Sequence, residues 1–319
     1  MNLRNKGSHE IRNYGYGSRN PYKAVLNACC SHYSSFSTAR QLSNRFKLFL
    51  DWMNKNRFHV KDLRQITLDN VKSYVSNIEQ KVSTASLSVP SAHDYVSSIN
   101  SVLKIMRGDA KFFISTRMNT NIKKRDYVAK HNKASSKKLS LDKIGTNQEV
   151  VVSLQKAFGL RFQESVKGNP VKWLIEAKSK NMIKVIDGTK GGRPRTIPIT
   201  NDKQIKVLEK VALIQGRHWS LIPKDKTYAQ FQRHLYLANT DEDFHSNRHQ
   251  YAQERYAAIA GVPCPVSIGI SHGAKHHHFI AKTLGISLKV AKALDKKARL
   301  IVSEELGHSR IEITNNYLG

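Results

Sequence analysis

The chain has 319 residues, with 53 Lys and Arg against 24 Asp and Glu, a formal net charge of +29 and a pI near 10.1. Such an excess of positive charge opposes a compact fold, so it predicts a polyanionic partner, nucleic acid ahead of a membrane surface. No apolar run reaches the ~18 residues of a membrane span, and no apolar block follows the basic N-terminus. Three cysteines make no disulfide framework, which indicates a cytoplasmic protein.

Residues 1–20 form a basic tail in which Tyr14 and Tyr16 lie among arginines. We expect this tail to fray, as the termini of most domains do. The alternative is a basic arm that contacts nucleic acid outside the main site.

Residues 21–121 carry apolar stripes at helical spacing, which predict a bundle of about four helices. One stripe runs from Leu42 to Met53, and a later helix begins at Thr67 as its N-cap. The last predicted helix ends near Gly108. These stripes are interpreted as core, so this region is expected to form a small domain.

Residues 122–140 form a basic linker with almost no apolar periodicity, and its charge suits it to lie along phosphates. Residues 141–319 are mostly helical in pattern. Within them, two short apolar runs at 183–186 and 196–199 flank a Gly-rich loop, which is typical of a β-hairpin. The predicted fold is therefore mainly α, in two domains, with a small β-hairpin in the second.

Four short segments in the second half of the chain carry polar residues in a fixed order. They are an L-R-x-x-E segment with Arg161 and Glu164, the hairpin loop with Lys190, an H-x-x-R box with His245 and Arg248, and an L-G-H box ending at His308, with Tyr317 nine residues later. Each has an ordinary interpretation alone: a surface i,i+3 pair, a solvated turn residue, a helix-end cation, a packing tyrosine. Together, and in this order, they favour a catalytic set.

This ordered set resembles the signature of the tyrosine recombinases, the family of phage integrases and chromosome-dimer resolvases. The resemblance covers about residues 140–319, and the bundle before it is similar to the family's core-binding (SAM-like) domain only in type. It implies a two-domain DNA clamp that performs site-specific recombination, most simply the integration or excision of a mobile element. The implied partners are double-stranded DNA, a homotetramer on two DNA sites and accessory DNA-bending proteins at the nucleoid.

The resemblance also implies a role for each residue of the set. Tyr317 is the nucleophile that forms a 3′-phosphotyrosyl link, which stores the energy of the broken phosphodiester. Arg161 and Arg248 bind the non-bridging oxygens bidentately, and His308 adds a third donor. Lys190 is the general acid for the departing 5′-oxygen.

Two further members of the set have supporting roles. His245 assists proton transfer at the tyrosine, and Glu164 holds Arg161 in place. No metal or other cofactor is expected, because cationic side chains supply the positive charge. The candidate DNA-binding residues are Lys123, Lys124, Arg125, Lys137, Lys138 and Arg193.

The sequence departs from the family pattern at two places. Sixty residues separate Arg248 from His308, which predicts an insertion at about 262–294 that carries His272, His276–His278 and, upstream, Cys264. A zinc site is one interpretation, but the spacing fits known ligand patterns poorly, and a solvated, DNA-facing His/Lys segment is favoured. The sequence also stops two residues after the tyrosine, where relatives continue with a helix that couples protomers.

Two other functions compete with recombination. A type IB topoisomerase-like enzyme shares the chemistry, and the separate N-terminal bundle favours the recombinase over it. A non-catalytic DNA-binding relative is disfavoured because all six polar positions are filled. The DNA target and the direction of the reaction, whether integration, excision or resolution, stay open at this stage.

Overall fold

The computed structural model describes residues 6–142, 144–238, 243–308 and 310–319. The chain divides into two compact units, Met1–Asp126 and Tyr127–Gly319. The predicted fold class is confirmed, since the described elements are mostly helices with one two-stranded sheet. No described helix is long and apolar enough to cross a membrane.

The first unit contains four α-helices among its described residues. They are α1 (Pro21–His32), α2 (Phe36–Lys55), α3 (Leu68–Ser83) and α4 (Val89–Arg107). Thr67 caps α3 as predicted, by accepting a hydrogen bond from the backbone amide of Asn70, and α4 ends at the left-handed Gly108. The apolar stripes meet in one core, in which Phe46, Phe49 and Val102 are fully buried.

The expected fraying of the tail is wrong for residues 6–20. Tyr14 and Tyr16 are buried in the bundle's core, and the Tyr16 hydroxyl donates to the Ile105 carbonyl at 3.0 Å. Arg107 donates to the Tyr14 hydroxyl at 3.1 Å. The tail therefore closes one end of the bundle, while Arg4 lies outside the described residues.

The second unit contains nine described α-helices and one antiparallel β-hairpin. They are α5 (Asn147–Phe158), α6 (Phe162–Lys167), α7 (Pro170–Lys180), β1 (Met182–Val185), β2 (Arg195–Pro198), α8 (Asp202–Gln215), α9 (Tyr228–Ala238), α10 (Phe244–Ala260), α11 (Ala274–Leu284), α12 (Leu288–Glu305) and α13 (Asn315–Leu318). Ile183 of β1 faces Ile197 of β2, and both are fully buried. The hairpin thus appears where the sequence predicts it, one residue earlier on each strand.

Helix α10 lies at the centre of the second unit, where α5 and α12 both pack against it. Its inward face mixes apolar residues such as Ala252 and Tyr256 with polar ones such as Asn247 and Arg248, all buried. An amphipathic surface helix would not bury polar side chains in this way. The H-x-x-R box is therefore built into the core and not onto the surface.

The predicted insertion at 262–294 is solvated on one face only. Its lysines, His272 and His278 are exposed, as predicted, but the opposite face is packed. Helix α11 packs on α12, and His276 and Ile280 on its inner face are fully buried. Helix α12 begins at Leu288 and runs unbroken past residue 294 to Glu305, directly before the L-G-H box. This segment therefore forms part of the core of the unit.

Candidate active site

The L-R-x-x-E segment is shaped by the end of one helix and the start of the next. Helix α5 ends at Gly159, which is left-handed, and a Cβ there would lie 2.4 Å from the ring of Tyr251. Only glycine fits this position. Arg161 follows as the N-cap of α6, and its backbone amide donates to Glu164 at 2.6 Å. The turn thereby fixes the Arg161 backbone at the edge of the site.

Glu164 is fully buried and holds three arginines around it. Arg195 donates to both carboxylate oxygens at 2.7 Å, and Arg161 Nη1 donates to Oε1 at 2.7 Å. Arg248 Nη1 lies 3.9 Å from Oε2. Burial alone would raise the pKa of Glu164, but the hydrogen bonds and charge of Arg195 and the charges of Arg248 and Arg161 lower it to about 2. Glu164 is therefore ionised at neutral pH and positions the guanidinium groups.

Arg195 is a functional residue that the sequence motifs do not include. Its Nε donates to the Glu305 carbonyl at 2.7 Å, so the side chain joins α6 to the end of α12. The alternation of inward-facing and outward-facing residues along β2 indicates its burial. Side chains two apart on a strand share a face, and Arg195 shares the inward face of β2 with Ile197. An arginine at such a position indicates a buried partner.

Arg248 is completely buried at the centre of the site. It donates through Nη1 to the Gly159 carbonyl, through Nη2 to the Leu306 carbonyl at 2.5 Å, and through Nε to the Tyr317 hydroxyl at 3.4 Å. Burial is the largest cause that lowers the pKa of Arg248, to about 10. The guanidinium stays charged at neutral pH and is held rigidly before any ligand arrives.

Tyr317 lies on α13 with 7% of its surface exposed, and its hydroxyl faces the polar centre of the site. The hydroxyl oxygen is 3.4 Å from His245 Nε2 and 3.4 Å from Arg248 Nε. Because a guanidinium can only donate, the hydroxyl accepts from Arg248, and its own proton is available for donation to His245 Nε2. The geometry therefore places a proton acceptor and a fixed cation at the same phenol.

Three histidine rings surround this tyrosine, at centroid distances of 4.6 Å for His249, 5.3 Å for His308 and 5.7 Å for His245. Burial lowers the pKa of all three, and the neighbouring cations add to the effect, to about 4 for His249 and about 3 for His308. All three rings are neutral at neutral pH. The sequence motifs predict no role for His249, whose ring packs against the phenol.

His308 reaches the site from the L-G-H box. Arg248 Nη2 lies 3.4 Å from His308 Nε2, and since the guanidinium is the donor, Nε2 accepts and Nδ1 carries the proton. Gly307 before it is left-handed, and a Cβ there would lie 2.8 Å from Arg195 Cδ. The glycine of the box is therefore required by the close approach of Arg195.

The structure brings five of the six predicted residues together with Glu164 and leaves Lys190 apart. Lys190 lies in a short 3₁₀ turn at the tip of the hairpin, and Lys190 and Arg193 are exposed. Among the described residues no hydrogen bond or ion pair joins Lys190 to the other members of the set. A lysine at this tip needs a movement of the hairpin, or a bound substrate, to reach the centre.

The candidate DNA-binding residues of the linker differ in their surroundings. Lys123, Lys124, Lys137 and Lys138 have exposed side chains. Arg125 instead pairs with Asp94 at 2.6 Å and donates to the Pro90 carbonyl, so part of its binding capacity serves the helical bundle. Within the described part of the chain, no group of three or more His, Cys, Asp and Glu side chains is placed to hold a metal ion.

A protein-family model described as Integrase matches residues 123–254, a span that includes Arg161, Lys190, His245 and Arg248. Residues 123–254 therefore resemble the integrase family of tyrosine recombinases. The match supports an enzyme of the recombinase type, and the topoisomerase-like alternative is not favoured. The other two residues of the set, His308 and Tyr317, lie beyond the matched span. No curated protein sequence matches the chain significantly.

Solved structures of recombinases are weakly similar to this chain. The post-cleavage complex of XerH site-specific recombinase with a palindromic difH substrate is 14% identical at a TM-score of 0.49, with 93% of this chain and 81% of that chain covered. The pre-cleavage complex of XerH with difH is 15% identical at a TM-score of 0.47, with 93% of this chain and 82% of that chain covered. An integrase from mycobacterium phage Brujita is 13% identical at a TM-score of 0.28, with 96% of this chain and 100% of that chain covered.

Proposed function

We propose that this recombinase cuts and rejoins double-stranded DNA with Tyr317 as its nucleophile. The observation that carries the proposal is the pair of 3.4 Å distances from the phenol oxygen to a neutral imidazole and to a buried guanidinium. In the reaction the phenol oxygen bonds to phosphorus, and the bond from phosphorus to the 5′-oxygen breaks. The products are a 3′-phosphotyrosyl ester and a 5′-hydroxyl, and attack by a 5′-hydroxyl reverses the step.

The protons have assigned donors and acceptors in this scheme. The phenol proton passes to His245, which is neutral because burial and the charge of Arg248 lower its pKa. Arg248 stabilises the phenolate that forms. Lys190 supplies a proton to the departing 5′-oxygen once the hairpin tip approaches the DNA. Two glycines that follow it, Gly191 and Gly192, support such a movement because no atom would crowd a Cβ at either position.

Arg161 would bind the non-bridging oxygens of the phosphate, and Arg248 and His308 would join it once the DNA displaces the hydrogen bonds that Arg248 makes to Tyr317 and His308. Negative charge develops on these oxygens in the transition state, and preorganised donors are worth about 3–4 kcal/mol each in such a site. Glu164 and Arg195 hold the site together through the hydrogen bonds between them, and the proposal assigns them no contact with DNA. The donor side chains therefore lose their conformational freedom when the protein folds, before the substrate binds.

The assembly that we propose follows from the chemistry. Because each ester stores one broken phosphodiester, an exchange between two duplexes needs a protomer at each of four strands, a homotetramer on two sites. Accessory DNA-bending proteins would bring the two sites together at the nucleoid in the cytoplasm. The exposed lysines at 123, 124, 137 and 138, with Arg193 on the hairpin, would contact phosphates and give sequence-independent affinity.

The nucleophile is tested by Tyr317→Phe, which removes one oxygen and preserves charge and shape. The variant should bind target DNA as tightly as the wild type yet form no covalent complex, because it lacks the attacking oxygen. The substrate carries a 5′-bridging phosphorothiolate, whose sulfur leaves without a general acid, so the result does not depend on Lys190. Denaturing electrophoresis measures the adduct. Tyr236→Phe, at a half-exposed tyrosine outside the set, is the control and should form it normally. A normal yield of adduct from Tyr317→Phe would contradict the proposal.

A further inference from the structure

A second buried carboxylate network lies in the catalytic unit, around Asp295 of α12. Asp295 is 4% exposed and accepts hydrogen bonds from the Tyr256 hydroxyl at 2.5 Å and from Arg299 Nε at 3.0 Å. His277 Nε2 lies 3.3 Å from it and His276 Nδ1 lies 3.7 Å from it. Burial alone would raise the pKa of Asp295, but these partners lower it well below its usual range. Asp295 is a fixed anion.

Arg299 connects this anion to the segment that carries the nucleophile. Its side chain is almost fully buried, and while Nε is held by Asp295, Nη1 donates to Asn315 Oδ1 at 2.9 Å. Asn315 is the first residue of α13 and lies two residues before Tyr317. A guanidinium is rigid and planar, so fixing one edge on Asp295 also fixes the direction of the other.

Helix α13 depends on such contacts because it has only four residues, too few to be stable alone. Two further hydrogen bonds hold it. Gln253 of α10 donates to the Tyr317 carbonyl at 3.2 Å, and Ser267 in turn donates to Gln253 at 2.9 Å. The backbone amide of Ala129 donates to the Asn315 carbonyl at 2.9 Å. The long segment between Arg248 and the L-G-H box therefore supplies hydrogen bonds that hold α13.

We propose that Arg299 is a positioning residue that sets the place of Tyr317 through Asn315, with Asp295 holding Arg299 in turn. The proposal rests on the proposed role of Tyr317 as the nucleophile. Under it, residues 262–294 support the segment that carries the nucleophile. Ser267 hydrogen-bonds to Gln253, and His276 and His277 lie beside Asp295. Arg299 contacts no substrate and acts only through the geometry of α13.

The competing interpretation is an ordinary i,i+4 ion pair on a helix, which would stabilise α12 without affecting the chemistry. The two interpretations differ in what the bond from Arg299 to Asn315 does. If it positions the tyrosine, its removal should slow cleavage at saturating DNA, because a displacement of about 1 Å can cost ~10²-fold in rate. If it is only structural, its removal should lower thermal stability and leave cleavage at saturation unchanged.

Three variants separate these interpretations in single-turnover cleavage of a nicked substrate, alongside DNA affinity and melting temperature. Asn315→Ala removes the acceptor, and cleavage at saturating DNA should fall about 10- to 100-fold with unchanged affinity. Asn315→Asp keeps an acceptor for Arg299 and should cleave close to the wild-type rate. Arg299→Lys keeps a cation beside Asp295, but an ammonium cannot reach both partners, so its decrease in rate should match that of Asn315→Ala.

The double variant Arg299→Lys, Asn315→Ala completes the cycle and should be no slower than either single variant, since all three lack the same bond. Arg255→Lys is the matched control. Arg255 also pairs with a buried carboxylate, Glu305, at 2.9 Å, but it makes no bond to α13, so its cleavage rate should stay near that of the wild type.

Two results would overturn the positioning role: cleavage by Asn315→Ala at the wild-type rate, or decreases in rate that add in the double variant. In either case an adduct that forms in the wild type and is absent from Tyr317→Phe leaves the nucleophile assignment intact. An adduct in Tyr317→Phe would instead remove the basis of both proposals.

Discussion

The two units of the chain bury different kinds of polar side chain. In the described part of the first unit the buried polar residues are Asn13, Ser43 and Ser98, none of them charged. The second unit buries a series of charged residues: Lys156, Glu164, Arg195, Arg248, Asp295, Arg299 and Glu305. Buried ion pairs contribute little net stability, because desolvation offsets most of their attraction. The difference therefore indicates that the buried charges of the second unit serve catalysis, because catalytic cations must be held in place before the substrate binds.

The largest effect should come from breaking the network of Glu164. Glu164→Ala leaves Arg195 and Arg161 without their buried anion, which should lower the free energy of unfolding by about 3–5 kcal/mol. Cleavage should fall ~10²–10³-fold, because the donors for the phosphate are no longer aligned. Chemical denaturation and single-turnover cleavage measure the two effects.

The control for this variant is Glu209→Ala. Glu209 pairs with Lys178 at 2.7 Å, but both side chains are about half exposed, so the change should cost at most about 1 kcal/mol. Equal destabilisation in the two variants would remove the distinction between buried and exposed charge in this unit.

Acid should distinguish the two units by the pH at which each loses stability. In the second unit the folded-state pKa values of His249 and His308 are lowered from 6.5 to about 4 and about 3, so the unfolded chain binds more protons than the folded unit below pH 6.5. Stability should fall progressively from there. In the first unit the lowered pKa values of Asp62 and Asp109 leave stability intact until the pH falls below 3.8.

Hydrogen exchange measured between pH 7 and pH 4.5 checks this difference unit by unit. Protection in α10 and α12 should decline first, while α2 and α4 keep theirs. His249→Gln removes one of the titrating groups and should make the decline less steep. A simultaneous decline of protection in both units would show that the buried histidines do not control it.

The smallest structural effect should come from the exposed charges. Replacing Lys123, Lys124, Lys137 and Lys138 by Gln should leave stability within about 0.5 kcal/mol of the wild type, as for most surface changes. The plot of log affinity against log salt should become shallower by about 0.9 for each phosphate that the variant no longer neutralises. Fluorescence anisotropy over a range of salt concentrations measures it. A slope equal to that of the wild type would mean that these lysines do not bind the backbone of DNA.

Local signals in the sequence predicted much of the fold and most of the candidate site. The cap at Thr67, the end of α4 at Gly108 and the hairpin depend on neighbouring residues, and the structure has all three. Arg248, His308 and Tyr317 could be grouped because their spacing and order are themselves a pattern. The structure then shows the contacts that join them.

What the sequence did not predict depends on contacts between distant segments. Arg195 meets Glu164 from 31 residues away and Glu305 from 110, a pairing that no local periodicity records. The charge composition of this segment predicts solvation, whereas the spacing of its residues predicts the burial of His276. His276 and Ile280 are four residues apart and therefore share a helix face, which indicated an inward-facing histidine.

The hairpin has a fixed base and an open tip. At Gly188 a Cβ would lie 2.5 Å from the backbone oxygen of Gln163, so the base is wedged against the start of α6, whereas Gly191 and Gly192 at the tip have no neighbours within 4 Å of a Cβ. A loop with this division accepts changes in length at its tip while its base keeps the register of the strands. Folding should therefore tolerate an inserted residue beside Gly192 but not at Gly188, whereas the proposed role of Lys190 at the tip limits what cleavage tolerates.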